Sequence, residues 1–289
     1  MRKREVPVWL SAPLVVGAFG LLWLLERRRP LRREVEPKLR RTARNLAVAG
    51  VAAASLQLVE RPVIQPLTAL LERRRWGLLK LVRLPLWMEV AAAVVLMDYT
   101  LYLWHVLTHR VAFLWRFHVA HHVDLDLDAS TALRFHFGEL ALSTGWRAAQ
   151  VAMIGVSPFS LSVWQTFLLL CVLFHHSNVR LPLEVERKLN RVLVTPRMHG
   201  IHHSIIREET NSNWSSGLTL WDWLHGTLRL NVPQQEITIG VPAYRELAEV
   251  ELVEVLKLPF TEQRPTWELP GDGQPARDAL AVATDHLLP

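Results

Sequence analysis

The chain has 289 residues, enough for one large domain or two small ones; half are hydrophobic, twelve are Trp, the net charge is +6 and the mean hydropathy is positive. The basic residues lie beside apolar runs (Arg27–Arg29, Arg32, Arg33, Arg73–Arg75), so the charge reads as flanks facing anionic lipid and not as a nucleic-acid groove. The single cysteine, Cys171, lies in an apolar run; it excludes an intrachain disulfide and any Cys-based zinc or iron–sulfur site, and packing is its expected role.

Val6 to Leu25 is twenty residues without a charge, long enough to span the hydrocarbon core. The basic start Arg2-Lys3-Arg4 resembles a signal peptide, but Glu26-Arg27-Arg28-Arg29 follows instead of a small-residue cleavage site, which predicts an uncleaved transmembrane helix. After a charged linker, Glu26 to Arg44, an apolar stretch runs from Asn45 to Leu71. Glu60, Arg61, Pro62 and Pro66 interrupt it, leaving open one kinked span or a span plus an interfacial segment. A third span, Leu86 to about Trp104, delivers His105 at its end. Leu140 to Val156 and Phe159 to Phe174, joined by Ser157-Pro158, read as a hairpin of short helices that just crosses or re-enters. If it crosses twice, His136 and His175/His176 emerge on the face of His105. Past Thr227 a soluble tail is expected, with short structure over Ile237 to Phe260 and disorder from Thr261 onward, where Pro, Gly and Asp dominate. The fold class is therefore all-α, a polytopic helical membrane protein with a histidine-rich lobe on one side. Its parts are 1–85 (membrane helices and basic linker), 86–230 (the histidine region) and 231–289 (the tail).

Eleven of the thirteen histidines fall between His105 and His203. His105 and His109 form an HxxxH; His118, His121 and His122 form an HxxHH, and His199, His202 and His203 repeat it. Positions i, i+3 and i+4 share a helix face, so each box can aim its imidazoles at one point. Imidazole suits Fe, Zn, Cu and Ni, and this many in one region exceed the needs of one ion, which points to a dinuclear site. A bound imidazole needs its other N–H oriented by a carboxylate or carbonyl. Asp98, two helical turns before His105, and Tyr102 between them are candidates for that role, an acid inside a span being functional by default. Asp124, Asp126 and Asp128 could be ligands or orienters, though an alternating acidic loop more often forms a solvated surface. Spacing alone does not separate iron from zinc.

The stretch from about Leu86 to Leu230 resembles the fatty acid hydroxylase/sterol desaturase superfamily of integral-membrane di-iron oxygenases. The resemblance rests on Asp98 ahead of His105-x-x-x-His109, Trp115 ahead of His118-x-x-His121-His122, Thr131 to Glu139 and Phe174 to Asn178. It continues through Thr195-Pro196 into His199-x-x-His202-His203-Ser204, then Asn211 to Trp214 and Trp221 to Thr227, in order over about half the chain. It implies as metal ligands His105, His109, His118, His121, His122, His176, His199, His202 and His203, with His136 and His175 as further candidates and a count between nine and eleven. It also implies loop-shaping and tautomer-fixing roles for Thr195, Pro196, Asn178, Asn211 and Asn213. His136 matches a histidine usual in the sterol-desaturase branch, but that branch follows it with proline where this chain has Phe137. Val172 stands where fatty acid 2-hydroxylases carry an extra ligand, and His225 stands where the family has an aromatic.

The implied cofactor is two iron ions, with zinc as a substitute in purified protein. The implied reaction is O2-dependent hydroxylation or desaturation of an unactivated C–H bond of a bilayer lipid. Electrons come from an external ferredoxin- or cytochrome b5-like donor, since the chain carries no flavin, haem or iron–sulfur signature. A carotenoid-type hydroxylase and a non-enzymatic membrane zinc-binding protein are the alternatives. The Glu26–Arg44 linker holds nine Lys/Arg against three before the first span, so the positive-inside rule places it, and with a complete crossing between Asn45 and Leu71 also the boxes, in the cytoplasm.

Overall fold

The computed structural model describes residues 5–270 and 273–276; the basic start Arg2-Lys3-Arg4 and residues 277–289 lie outside it. Helix α1 (Val8–Arg28) is about 30 Å long at 1.5 Å per residue. Trp9, Val16 and Leu21 along it are more than half exposed, a surface suited to hydrocarbon and not to water. Helix α2 (Lys38–Ser55) passes through a π turn at Leu56–Glu60 into α3 (Arg61–Arg74). Pro62 lacks the N–H that would continue the regular ladder, and the wider turn ahead of it lets the helix run on. Residues 45–71 thus lie in one continuous helical run. The long helix α4 (Leu86–Arg110) and the short α5 (Ala112–His122) follow, then the antiparallel pair α6 (Phe137–Ile154) and α7 (Pro158–His176).

Four stretches are long and apolar enough to cross a membrane: Val8–Arg28, Lys38–Lys80, Leu86–Arg110 and Pro158–His176. Their directions follow from contacts at the two ends. Val6 N donates to Ser162 Oγ at one end of α1, and Leu31 N to the Asn178 carbonyl at the other, so α1 and α7 run in parallel. Ser55 Oγ donates to the Phe137 carbonyl, placing the start of α6 beside α2 on the lobe side. At the opposite end Gly77 and Gly155, both with positive φ, meet so closely that a Cβ on Gly155 would lie 2.9 Å from the Gly77 Cα. The α6–α7 pair therefore descends and returns. Each crossing delivers its functional end to one face, where the remaining helices α8 (Leu183–Leu189), α9 (Pro196–His202), α10 (Arg207–Thr210), α11 (Leu220–Leu224) and α12 (Leu252–Lys257) build the lobe. All regular elements among the described residues are helical, with only isolated bridges besides.

The lobe is held by charge as much as by apolar packing. Lys38 Nζ lies 2.8 Å from both Glu26 and Asp128. Arg41, 1% exposed, donates to Asp124 at 3.1 Å and pairs with Asp128. Arg44 bridges Glu36 and Asp124, and Asn45 links Asp124 to Arg134. Asp126 accepts from the Val35 and Glu36 amides. The acidic run expected as a solvated loop is therefore buried, because the basic linker folds back and neutralises it. Arg32, Arg41 and Arg44 are correspondingly buried and do not face lipid, whereas Arg27–Arg29 and Arg33 stay exposed.

The tail carries short helices between 237 and 260. Val250, Val255 and Leu258 pack on Val119, Ala120 and Val123 of α5 and on Val48 of α2. Beyond Thr261, where the composition suggests disorder, Thr266 accepts from Trp115 Nε1 and Trp267 stacks on the Trp115 ring. Two aromatic anchors thus tie a polar segment down.

Burial alone would raise the Asp124 carboxyl, but Arg41, Arg134 and Arg44 hold it below the usual carboxylate range; Asp128 is held low by Arg41 and Lys38. A carboxylate depressed in the folded state stabilises above its unfolded pKa of about 3.9 and loses that contribution as pH falls. The detergent-solubilised protein should therefore lose stability below about pH 4. Arg41→Ala, which strands two buried carboxylates, should cost about 3–5 kcal/mol. Thermal unfolding followed by size exclusion checks both, and an unchanged midpoint in the variant would show that the lattice is not needed.

Candidate metal centre

Nine histidines converge at the top of the bundle in two adjoining groups. His105, His109, His118, His122 and His202 form one; His121, His176, His199 and His203 form the other, and within each group the ligand atoms lie within 4.8 Å of one another. The helical spacing explains the division. In α4 the i, i+4 pair His105/His109 faces the first group. In α5 the i, i+4 pair His118/His122 also faces it, while His121 turns to the second. In α9 the arrangement inverts: His199 and His203 face the second group and His202 the first. His176 enters from the last turn of α7. The groups share a wall, with the His122 and His203 rings stacked 4.3 Å apart.

Five imidazoles have their Nδ1 fixed by a partner behind them. His105 Nδ1 lies 2.7 Å from the Trp214 carbonyl, His202 2.9 Å from that of Ser212, His121 3.2 Å from that of Arg134, and His176 2.9 Å from that of Val172. His118 differs, its Nδ1 lying 2.9 Å from the Glu139 carboxylate. With Nδ1 carrying the proton, each Nε2 lone pair points inward. In the second group the Nε2 atoms of His176, His121, His199 and His203 approach one another at 3.0–3.1 Å. In the first, the Nε2 atoms of His118 and His202 and both ring nitrogens of His109 and His122 are buried without a partner. Buried polar groups are ordinarily satisfied, so a cluster of orphaned nitrogen lone pairs fits a cation-binding site. Burial, followed by the neighbouring rings, holds His121, His122, His199, His202 and His203 well below the ordinary imidazole pKa. They are neutral and available as ligands.

The other expected residues fall outside the two groups. His136 caps α6, its Nδ1 accepting from Gly138 N while Nε2 lies 3.1 Å from the Leu256 carbonyl. His175 lies behind His199, with ring centroids 4.0 Å apart. His225 stacks on Tyr102 and Tyr99. Asp98 and Tyr102 make no hydrogen bond to the nine grouped imidazoles among the described residues: two turns of α4 separate Asp98 from His105 by about 10 Å. Asp98 accepts from Trp221 Nε1 and Leu218 N, and Tyr102 OH pairs with Thr227 Oγ1. Asn178 braces the Arg32 backbone. Asn213, at φ 52°, donates to the Met198 and Arg229 carbonyls. Asp98, Tyr102 and Asn213 thus act on the segment 212–229, which includes the loop that presents the Ser212 and Trp214 carbonyls. Sequence reasoning missed Asp222, which accepts from Trp214 N, Ser215 N and Thr227 Oγ1 in the same loop. It also missed Glu139, whose signal was an acid in the first turn of the helix after box two.

Residues 90–227 match the fatty acid hydroxylase family model. Among curated proteins the chain is 31% identical over 159 residues to ornithine lipid hydroxylase OlsE of Rhizobium tropici (54% of this chain, 46% of that protein). It is 30% identical over 130 residues to the alkylglycerol monooxygenase of Homo sapiens (45% and 28%), and 29% identical over 155 residues to the cholesterol 25-hydroxylase of Rattus norvegicus (53% and 50%). The chain thus spans half or less of the length of these relatives. No solved structure matches it. The nine-histidine centre lies within the matched segment, and that segment belongs to the fatty acid hydroxylase superfamily.

Proposed function

We propose that this protein is a membrane-bound, O2-dependent hydroxylase of a lipid, with two iron ions held by the nine grouped histidines. The single observation that carries the reading is the pair of adjoining, largely buried groups of imidazoles at the end of helices long and apolar enough to cross a membrane. The relatives support hydroxylation over desaturation, their names being those of hydroxylases and monooxygenases acting on ornithine lipids, alkylglycerols and cholesterol. Two iron ions, when bound, would supply the reductive activation of O2 that an unactivated C–H bond requires. The chain's own residues do the rest. His105, His109, His118, His122 and His202 hold one ion, and His121, His176, His199 and His203 the other. Glu139 and the four carbonyls keep five imidazoles in the ligating tautomer, and tight burial excludes water that would quench an oxidising centre. We assign residues 86–230 to the oxygenase unit, 1–85 to the membrane helices and buttressing linker, and 231–289 to a lobe-packing extension. Electrons come from an external ferredoxin- or cytochrome b5-like carrier. The lobe is assigned to the cytoplasm because ferrous iron and reduced carriers are available there; the nine Lys/Arg of the Glu26–Arg44 linker lie on its side, and Arg73–Arg75, Lys80 and Arg83 on the other.

Anaerobically purified protein should carry about two Fe per chain, on the reading that one ion per group satisfies the nitrogen donors. His202→Ala and His199→Ala should each lose at least half of that iron and all O2-dependent product while still inserting into membranes. Full iron and activity in either variant would remove that residue from the centre. Glu139→Ala should weaken metal retention or activity about 10–100-fold, with partial recovery in Glu139→Gln, whereas His136→Ala should retain its iron; metal analysis after dialysis against a chelator separates the two, and iron loss in the His136 variant would return it to the ligand set. For sidedness, Glu262→Cys on the exposed lobe should react with a membrane-impermeant maleimide only after lysis. Labelling of intact cells would put the lobe outside.

A further inference from the structure

We propose that the seam between α1 and the segment following α7 is a binding site for the phosphate headgroup of an anionic phospholipid, outside the histidine centre. At this seam Arg180 N donates to the Arg29 carbonyl at 2.8 Å, Leu31 N donates to the Asn178 carbonyl, and Pro30 and Val179 form an antiparallel bridge. The pairing sets Arg28 and Arg29 beside Arg180 around a cleft of about 480 Å³ completed by Pro30, Leu181 and Pro182. All three arginines are exposed, and among the described residues none makes an ion pair. The nearby acids are engaged elsewhere: Glu26 is buried and bonded to Lys38 and to the Ala129 and Asn178 amides, and Glu184 pairs with Arg187. Backbone pairing that fixes like charges side by side is unfavourable unless an anion lies between them. Three guanidinium forks match the oxygens of a phosphate.

The site's level favours a lipid over a soluble anion. The cleft caps the apolar run of α1, where Leu21 and Leu24 are exposed just below, and Arg27 lies 4.9 Å over the Trp23 ring, an aromatic of the kind that marks the headgroup zone. A phosphodiester at the arginines would lay its acyl chains along Leu21 and Leu24 with both ends satisfied.

Native mass spectrometry of the full chain in mild detergent, with equal phosphatidylglycerol and phosphatidylcholine, tests this. One phosphatidylglycerol should be retained in preference. Arg29→Gln/Arg180→Gln should bind it roughly thirtyfold more weakly, while its metal content, equal to that of the parent, shows that the fold is intact. Arg29→Lys/Arg180→Lys should keep most of the preference, and Arg73→Gln/Arg74→Gln, the same change of charge on the opposite face, should keep all of it. Equal losses in the two Gln pairs would reduce the effect to net charge and overturn the site. Displacement of the lipid by millimolar inorganic phosphate would assign the cleft to a soluble anion and overturn the lipid. No preference between the two lipids would overturn it outright.

Discussion

Nine imidazoles crowded together at the end of the bundle, most of them buried, set the terms for everything around them. Such a cluster is unfavourable in isolation, since buried donors and acceptors without partners cost free energy. It has to be imposed by surroundings stiff enough to resist it. Four carbonyls and one carboxylate pin the outer nitrogens, and the loop bearing two of those carbonyls is pinned in turn by Asp222 and Asn213. Protonating the rings would relieve the crowding of lone pairs, but burial opposes the charged form, leaving a cation as the partner that suits every lone pair at once.

The frame that resists this crowding is electrostatic as well as apolar. Beside the apolar cluster that joins Val48, Val119 and Val250, the lobe is tied by a lattice of charge among Glu26, Lys38, Arg41, Arg44, Asp124 and Asp128. They join the end of the first span, the start of the second and the segment directly after box two. The basic linker is therefore less a membrane flank than a strut, and the acids that follow His122 are its anchor. Removing one member leaves buried charge uncompensated, which makes the lattice stiff and intolerant of partial change.

Much of this was legible in the sequence, and the rest was hidden for physical reasons. Apolar length identified the crossings, and box spacing identified eight of the nine grouped histidines, because helical periodicity is a local property; His176 came only with the family resemblance. The division into groups of five and four was not legible: it depends on how α5 and α9 are rotated against each other. The partners behind the rings were hidden too, since four of them are backbone carbonyls with no side-chain signature. Asp98 drew attention as an acid in a span, yet its reach ends at Trp221. Asp124, Asp126 and Asp128 read as surface because their neutralising arginines lie some eighty to ninety residues earlier.

The inverted use of boxes two and three ties the halves of the centre together mechanically. α5 sends two rings to the first group and one to the second, and α9 does the reverse, so neither helix can rotate or shift to relax one half without pulling on the other. The two positions behave as a pair of gears on shared axles. On the proposed reading of one ion per group, occupying one group would bear on both helices, so filling and emptying of the two are expected to be linked.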